Sequence, residues 1–233
     1  ALDTDQNNRA VVDLEEDLTP TQRQELLELV DQHVLLLPGK DPSGAPPQKN
    51  TSGVVMRQRP YRVPEARHKA IEEEVERMLR DRVIEESNSP WSSPIVVVPK
   101  LEGSIRLCND FRRLNQVSDF DSYPLPRVDD LVERLGSAQF ISTLDLTYWQ
   151  VALAADARPK TAFNTSTGHW QYRVLQFGLH VAPATFQRLL DTVLRPHRSF
   201  AAAYLDDVVI HSSTWSDHLF HLGEVLKGLG GLA

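Results

Sequence analysis

The sequence predicts an α+β fold in which helices back an antiparallel sheet. Short apolar strand patterns and amphipathic helical patterns follow one another irregularly along the chain, the order expected of that class. No βαβ rhythm with a phosphate-cradling glycine loop occurs, and no internal repeat. At 233 residues, 41% hydrophobic and 24% charged, the chain can bury a sizeable core.

In order, "LTPTQRQELLELVDQHVLLL" (18–37) is an amphipathic helix, with Thr19 or Thr21 as its cap and Pro20 in its first turn. "PGKDPSGAPPQKNTSG" (38–53) concentrates Pro, Gly, Ser and Asn without periodicity, so it reads as a linker and the folded body begins near residue 53. "PEARHKAIEEEVERMLRDRVIEES" (64–87) reads as a helix with Ile71, Val75, Met78 and Leu79 on one face. Residues 95–111 form a hairpin around the turn "EGS" (102–104). "YPLPRVDDLVERLG" (123–136) is a helix with Pro126 near its start and Gly136 at its end. "FISTLDLTYWQVAL" (140–153), "TAFNT" (161–165) and "GHWQYRVL" (168–175) are strand-like. "APATFQRLLDTVLRP" (182–196) is a helix stopped by Pro196, "AAAYLDDVVIHSS" (201–213) is a hairpin, and a last helix begins about Trp215.

The net charge of −7 is unevenly spread. Residues 1–31 hold nine acids and two bases, leaving 23 bases against 23 acids in the remainder. Within "RQRPYRVPEARHK" (57–69) five bases meet one acid, a local basic stretch suited either to phosphates or to plain solvation. No apolar run approaches the ~20 residues of a membrane span, and the N-terminal "ALDTDQNNRA" lacks a signal pattern. The single cysteine, Cys108, excludes an internal disulfide framework and suits a reducing compartment. The expectation is a soluble intracellular protein.

The chemistry lies in three carboxylates. Asp206 and Asp207 fall where a two-residue turn would join Ala201–Leu205 to Val208–Ser212, a place that exposes charge at low cost. A plain Asp-containing turn explains that pair alone equally well. "STLDL" (142–146) adds Asp145 on a second apolar strand. If the strands are neighbours, three carboxylates converge and must be protonated or neutralised by cations. Hard divalent ions fit, Mg²⁺ first, and two of them ~3.5–4 Å apart suit an in-line phosphoryl displacement. The eight histidines are scattered, and His218 and His221 read as surface residues of the last helix.

"YLDD" after an apolar strand, "LDL" some sixty residues earlier, "SSPIVVVPK", "RLCNDFRRLN", "YPLPRVDDLVERLG", "KTAFNT", "HWQYRV" and "FGLHVAPATFQR" stand together in one chain. Together they resemble the reverse transcriptase domain of Gypsy-class long-terminal-repeat retrotransposon polyproteins, from about Arg57 to Leu226. The resemblance implies a right-hand polymerase, fingers and palm, with an antiparallel palm sheet backed by helices. It implies an acidic N-terminal helix and linker over 1–52 and a core over 53–233. The fingers would take about 60–119 and 151–181, and the palm about 120–150 and 182–233; thumb and ribonuclease H have no counterpart.

Carried over residue by residue, Asp145 and Asp206 are the main ligands of two Mg²⁺ ions, or Mn²⁺ in their place, with Asp207 beside them. Lys100 and Arg106, flanking the "EGS" turn, would reach the incoming triphosphate. Asp110 and Arg112 would brace the fingers. Leu146, Phe177 and Gly178 would line the nucleotide pocket, and Tyr148 or Trp149 would exclude a ribose 2′-hydroxyl. The implied partners are an RNA template, a DNA primer and deoxynucleoside triphosphates, in a cytoplasmic particle and then the nucleus, with no membrane.

Some positions depart from that pattern. Where the family has Thr-Lys-Gly-Tyr-Trp-Gln after "LDL", this chain reads Thr147-Tyr148-Trp149-Gln150, two residues shorter. Such a gap preserves strand alternation but shortens an extended chain by about 6–7 Å. Gln176 replaces the usual proline, and Val181 the usual glycine, which predicts strain of roughly 1–2 kcal/mol if φ is positive there. Two readings follow: an RNA-directed DNA polymerase impaired by the gap, or a catalytically inactive remnant that binds nucleic acid or another protein. An unrelated metal-dependent phosphohydrolase lacks a general base or a further ligand cluster.

Overall fold

The computed structural model describes residues 2–4, 10–12, 14, 17–33, 55–99, 105–136, 138–146, 148 and 151–230. In chain order the elements are β1 (Leu2–Thr4), β2 (Ala10–Val12), α1 (Pro20–His33), α2 (His68–Arg80), β3 (Ile84–Glu86), β4 (Ile95–Pro99), β5 (Ile105–Asn109) and α3 (Arg112–Val117). There follow α4 (Val128–Leu135), β6 (Phe140–Asp145), β7 (Phe163–Asn164), β8 (His169–Tyr172), α5 (Ala182–Val193), β9 (Ala201–Tyr204), β10 (Asp207–Ser212) and α6 (Trp215–Gly230). They divide into two compact units, one of residues 1–39, 122–150 and 183–233, the other of 40–121 and 151–182.

The first unit is built on the antiparallel sheet β6-β10-β9. Alternation gives this sheet a buried face and an open one. Leu144, Val208, Ile210, Ala201 and Ala203 point into the core, where α6 packs on β10 and β6. Ile141, Thr143, Asp145, Asp207, Val209 and His211 take the opposite, more exposed face. α6 is helical because His218, Leu222, Val225, Leu226 and Leu229 recur at helical spacing on its inner side. α1 packs against α6; a Cβ at Gly223 would stand 3.4 Å from Leu29 Cδ1, so a small residue sets this approach. α1 starts with a reciprocal capping box: the Gln22 N–H donates to Thr19 Oγ1 at 3.3 Å and the Thr19 N–H to Gln22 Oε1 at 2.9 Å.

The second unit holds the sheet β3-β8-β7, the β4–β5 hairpin and α2, around a core that includes Phe111, Phe163 and Tyr172. Ile71, Val75 and Met78 bury the inner stripe of α2. The long helix expected over 64–87 stops at Arg80. Arg82 turns into the left-handed region at φ 56°, and two bonds close the helix end, Arg82 N–H to Leu79 O at 3.1 Å and Val83 N–H to Met78 O at 2.9 Å. Ile84–Glu86 then pairs with β8 instead of continuing the helix. The strand expected over 140–153 likewise ends at Asp145, and the chain crosses to the second unit after residue 150. Val181 is not at positive φ; among the described residues Arg82 and Leu205 are the non-glycine residues that are, so the predicted strain at Val181 does not arise.

Candidate active site

Asp206 and Asp207 do not share a turn. Tyr204 and Asp207 pair across β9 and β10, so the turn is Leu205–Asp206 and Asp207 opens a strand. Leu205 has φ 56° and Asp206 an ordinary φ, the pattern of a type II′ turn, whose first central position favours glycine. The expected register is thus one residue late. The reason is a side chain of α5. Gln187 is fully buried, its Oε1 accepts the Leu205 N–H at 2.8 Å, and its Nε2 donates to Ala203 O at 3.0 Å and to Asp191 Oδ1 at 3.1 Å. Asp191 Oδ2 accepts the Tyr123 hydroxyl at 2.7 Å, and the Arg188 guanidinium lies 4.9 Å from the centre of the Tyr123 ring. That acceptor pushes the Tyr123 pKa upward.

Asp145 lies directly opposite Asp207 in the β6–β10 ladder, so the two carboxylates leave the same open face. Residues so placed have Cβ atoms about 4.5–5.5 Å apart. The Leu146 N–H donates to Asp206 O at 2.9 Å, which ties the end of β6 to the turn. Among the described residues no three Asp, Glu, His or Cys side chains form a group arranged to hold a metal. The expected three-way convergence therefore reduces to a facing pair with its third member in the adjoining turn, outside the strand alternation that aligns the other two.

Tyr148 is buried, its ring edge-on to Phe186 with centroids 4.9 Å apart. Burial, helped by the Asp206 charge, raises its pKa to about 12. Leu146 is also buried. Thr147, Trp149 and Gln150 lie outside the described residues, and so does Lys100.

Of the residues expected at the nucleotide, Arg106, Phe177 and Gly178 belong to the second unit. Arg106 is exposed on β5, paired with Val98. Phe177 is 44% exposed, and its N–H donates to the buried Gln176 Oε1 at 3.0 Å. Gly178 has φ 89° and its carbonyl accepts Asn115 Nδ2 at 2.8 Å. A Cβ there would keep 3.6 Å from the nearest atom, Asn109 O, so backbone conformation and not space requires the glycine. Asp110 accepts Arg112 Nη2 at 2.6 Å and the Tyr61 hydroxyl at 2.7 Å, and the Arg112 contacts hold its carboxyl far below the usual range.

Two residues escaped the sequence reading. Gln187 was signalled by a polar side chain on the α5 stripe of Phe186 and Leu190. His218, expected at the surface, is buried: its Nε2 lies 2.8 Å from Ser142 Oγ and its Nδ1 3.1 Å from Ser212 Oγ. Its spacing to Leu222 and Val225 was the available sign.

Residues 98–231 match the family described as reverse transcriptase (RNA-dependent DNA polymerase). The chain is 40% identical over 157 residues to the retrovirus-related Pol polyprotein from transposon 297 of Drosophila melanogaster, covering 64% of this chain and 15% of that one. It is 40% identical over 168 residues to the polyprotein from transposon gypsy of the same fly, covering 68% and 16%. It thus spans about a sixth of the length of these curated relatives. The crystal structure of the prototype foamy virus protease-reverse transcriptase superposes with a TM-score of 0.80 at 21% identity, over 91% of this chain and 30% of that one. The foamy viral protein in complex with an RNA/DNA hybrid gives 0.76 at 23% identity, over 91% and 30%. The α+β architecture is that fingers-and-palm fold. Among the described residues no helix is long and apolar enough to cross a membrane.

Proposed function

This chain belongs to the reverse transcriptase family, with Gypsy-class retrotransposon polyproteins among its relatives, and from that premise we propose that it is the fingers and palm of an RNA-directed DNA polymerase. The observation that carries the reading is Asp145 directly opposite Asp207 on an open sheet face, with Asp206 in the adjoining turn. The palm would span about 120–150 and 182–233, the fingers about 60–119 and 151–181. The substrates would be a deoxynucleoside triphosphate and a DNA primer on an RNA template; the foamy viral protein's complexes with double-stranded DNA and with an RNA/DNA hybrid support the nucleic-acid part.

The donor set fits a hard divalent ion, since all three groups are carboxylates and two share one open face. Asp145, Asp206 and Asp207 would hold two Mg²⁺, or Mn²⁺ in their place. Bound there, the ions supply charge neutralisation at the phosphates and at the departing pyrophosphate. In the reaction the primer 3′-oxygen bonds the α-phosphorus, the bond to the pyrophosphate oxygen breaks, and the hydroxyl proton passes to solvent. The chain's own part is orientation. In the first unit the β6–β10 ladder sets the carboxylate spacing, and Tyr148, packed on Phe186, would bar a 2′-hydroxyl. In the second unit the family resemblance assigns Lys100 and Arg106 to triphosphate oxygens. The family resemblance assigns nucleotide binding to Leu146 in the first unit and, separately, to Phe177 and Gly178 in the second.

Primer extension on an RNA template with Mg²⁺ tests this. The unsubstituted chain should extend the primer and Asp206→Asn should not, while both retain template-primer binding. The shortened Thr147-Tyr148-Trp149-Gln150 favours a second reading, a remnant that binds without extending. Displacement of a reacting group by ~1 Å costs ~100-fold in rate. On that reading neither protein extends, and inserting Lys-Gly after Thr147 restores extension.

A further inference from the structure

Gln187 does more than fill the core. Among the described residues β9 is an edge strand, so no neighbouring strand of that set meets the groups on its outer side. At the turn, those groups are Ala203 C=O and Leu205 N–H, and the Gln187 carboxamide supplies one donor at 3.0 Å and one acceptor at 2.8 Å, as a neighbouring strand would. Its orientation is fixed chemically. Ala203 O and Asp191 Oδ1 can only accept from it, so both face Nε2, and Oε1 is left for the Leu205 N–H. Leu205, at φ 56°, occupies a conformation that costs a leucine about 1–2 kcal/mol, so the turn needs an external brace. Asp206 is the next residue.

We infer that Gln187 is a positioning residue: its buried carboxamide replaces a missing strand at the edge of β9 and holds the strained Leu205–Asp206 turn where the Asp206 carboxylate can serve a divalent ion. The inference rests on the polymerase reading for what the ion is used for, but not for the brace itself. Only glutamine satisfies the site. A carboxylate there would have no donor for Ala203 O and would face Asp191, and asparagine is one methylene short.

The test uses Gln187→Met and Gln187→Glu in the full chain, amide exchange by NMR, and titration with Mn²⁺ alone. In Gln187→Met the Leu205 amide should exchange about tenfold faster, the loss of one hydrogen bond, while Val208 and Ile210 in the ladder change less than twofold. Mn²⁺ affinity should fall about tenfold. Gln187→Glu keeps an acceptor for Leu205, and its introduced carboxyl can donate to Ala203 O only when protonated. Once ionised, that carboxylate faces two acceptors, Ala203 O and Asp191 Oδ1, and is driven from the site, so, corrected for intrinsic rates, Leu205 should be protected at low pH and lose protection as the pH rises, a profile that simple loss of packing does not produce. A Leu205 amide as slow in Gln187→Met as in the unsubstituted chain, equal acceleration across the sheet, or unchanged Mn²⁺ binding overturns the inference. If the unsubstituted chain fails to extend a primer, the polymerase reading falls, and exchange and Mn²⁺ binding still decide the role of Gln187.

Discussion

His218 ties the stability of the first unit to pH. It lies under the β6-β10-β9 sheet between Ser142 and Ser212, with the rings of Phe140 and Trp215 at 6.1 and 6.2 Å and His221 and His211 as its titratable neighbours. Burial first, then those two histidines, lowers its pKa from 6.5 to about 4. The unfolded chain accepts a proton near 6.5 that the folded chain refuses until about pH 4. The stabilisation is therefore complete above pH 6.5, is lost as the pH falls toward 4, and changes no further below. A shift of that size, at 1.36 kcal/mol per pKa unit, corresponds to about 3 kcal/mol. Urea midpoints measured from pH 7.5 to 4 on the unsubstituted chain and on His218→Gln read it directly. All other groups are present in both proteins and cancel to first order. The unsubstituted chain should lose about 3 kcal/mol more than the variant across the window. Equal losses would refute the account.

Arg82→Gly should stabilise the chain by roughly 0.5–1 kcal/mol, seen as a higher urea midpoint with unchanged slope, because relief of the left-handed backbone at the α2 terminus outweighs the extra freedom of glycine in the unfolded state. Gly178→Ala should do the reverse, costing about 1–2 kcal/mol in the same measurement, since its φ of 89° penalises any Cβ although space for one exists.

Elements whose residues announce both their period and their ends were legible in the sequence. Thr19 and Pro20 mark the start of α1, Ile71, Val75 and Met78 give the buried face of α2, and Trp215 opens α6 close to the expected place. The end of α2 was not legible. Arg80-Asp81-Arg82 carries no glycine or proline, and Glu85-Glu86 continues a composition that helices favour. The break depends on Arg82 adopting a conformation its residue type disfavours, which β8 makes worthwhile by pairing with Ile84–Glu86. His218 was misplaced for a similar reason: the serines that satisfy it come from β6 and β10, 76 and 6 residues away in sequence. The sequence also suggested that Asp145 would meet the Asp206–Asp207 pair if their strands were neighbours, and in the structure Asp145 does stand opposite Asp207, with Asp206 in the adjoining turn.

The position of Asp207 shows a local preference losing to a distant one. Locally, a turn at Asp206–Asp207 is the better choice, since aspartate tolerates positive φ more readily than leucine does. The residues flanking a two-residue hairpin loop exchange both of their hydrogen bonds, and outward-facing groups alternate from there. Turning at Asp206–Asp207 would point Ala203 C=O and Leu205 N–H toward β10 and present those of Ala202 and Tyr204 at the edge instead. Both Gln187 contacts to β9 would then be lost inside the core, at about 1–3 kcal/mol for each buried group left unpaired. That exceeds the roughly 1–2 kcal/mol of strain at Leu205. The observed register follows, and it extends the ladder by the one rung at which Asp207 meets Tyr204 on one side and Asp145 on the other. A buried amide on α5 thus decides whether the second aspartate of "YLDD" sits in a loop or faces its partner across a rigid sheet.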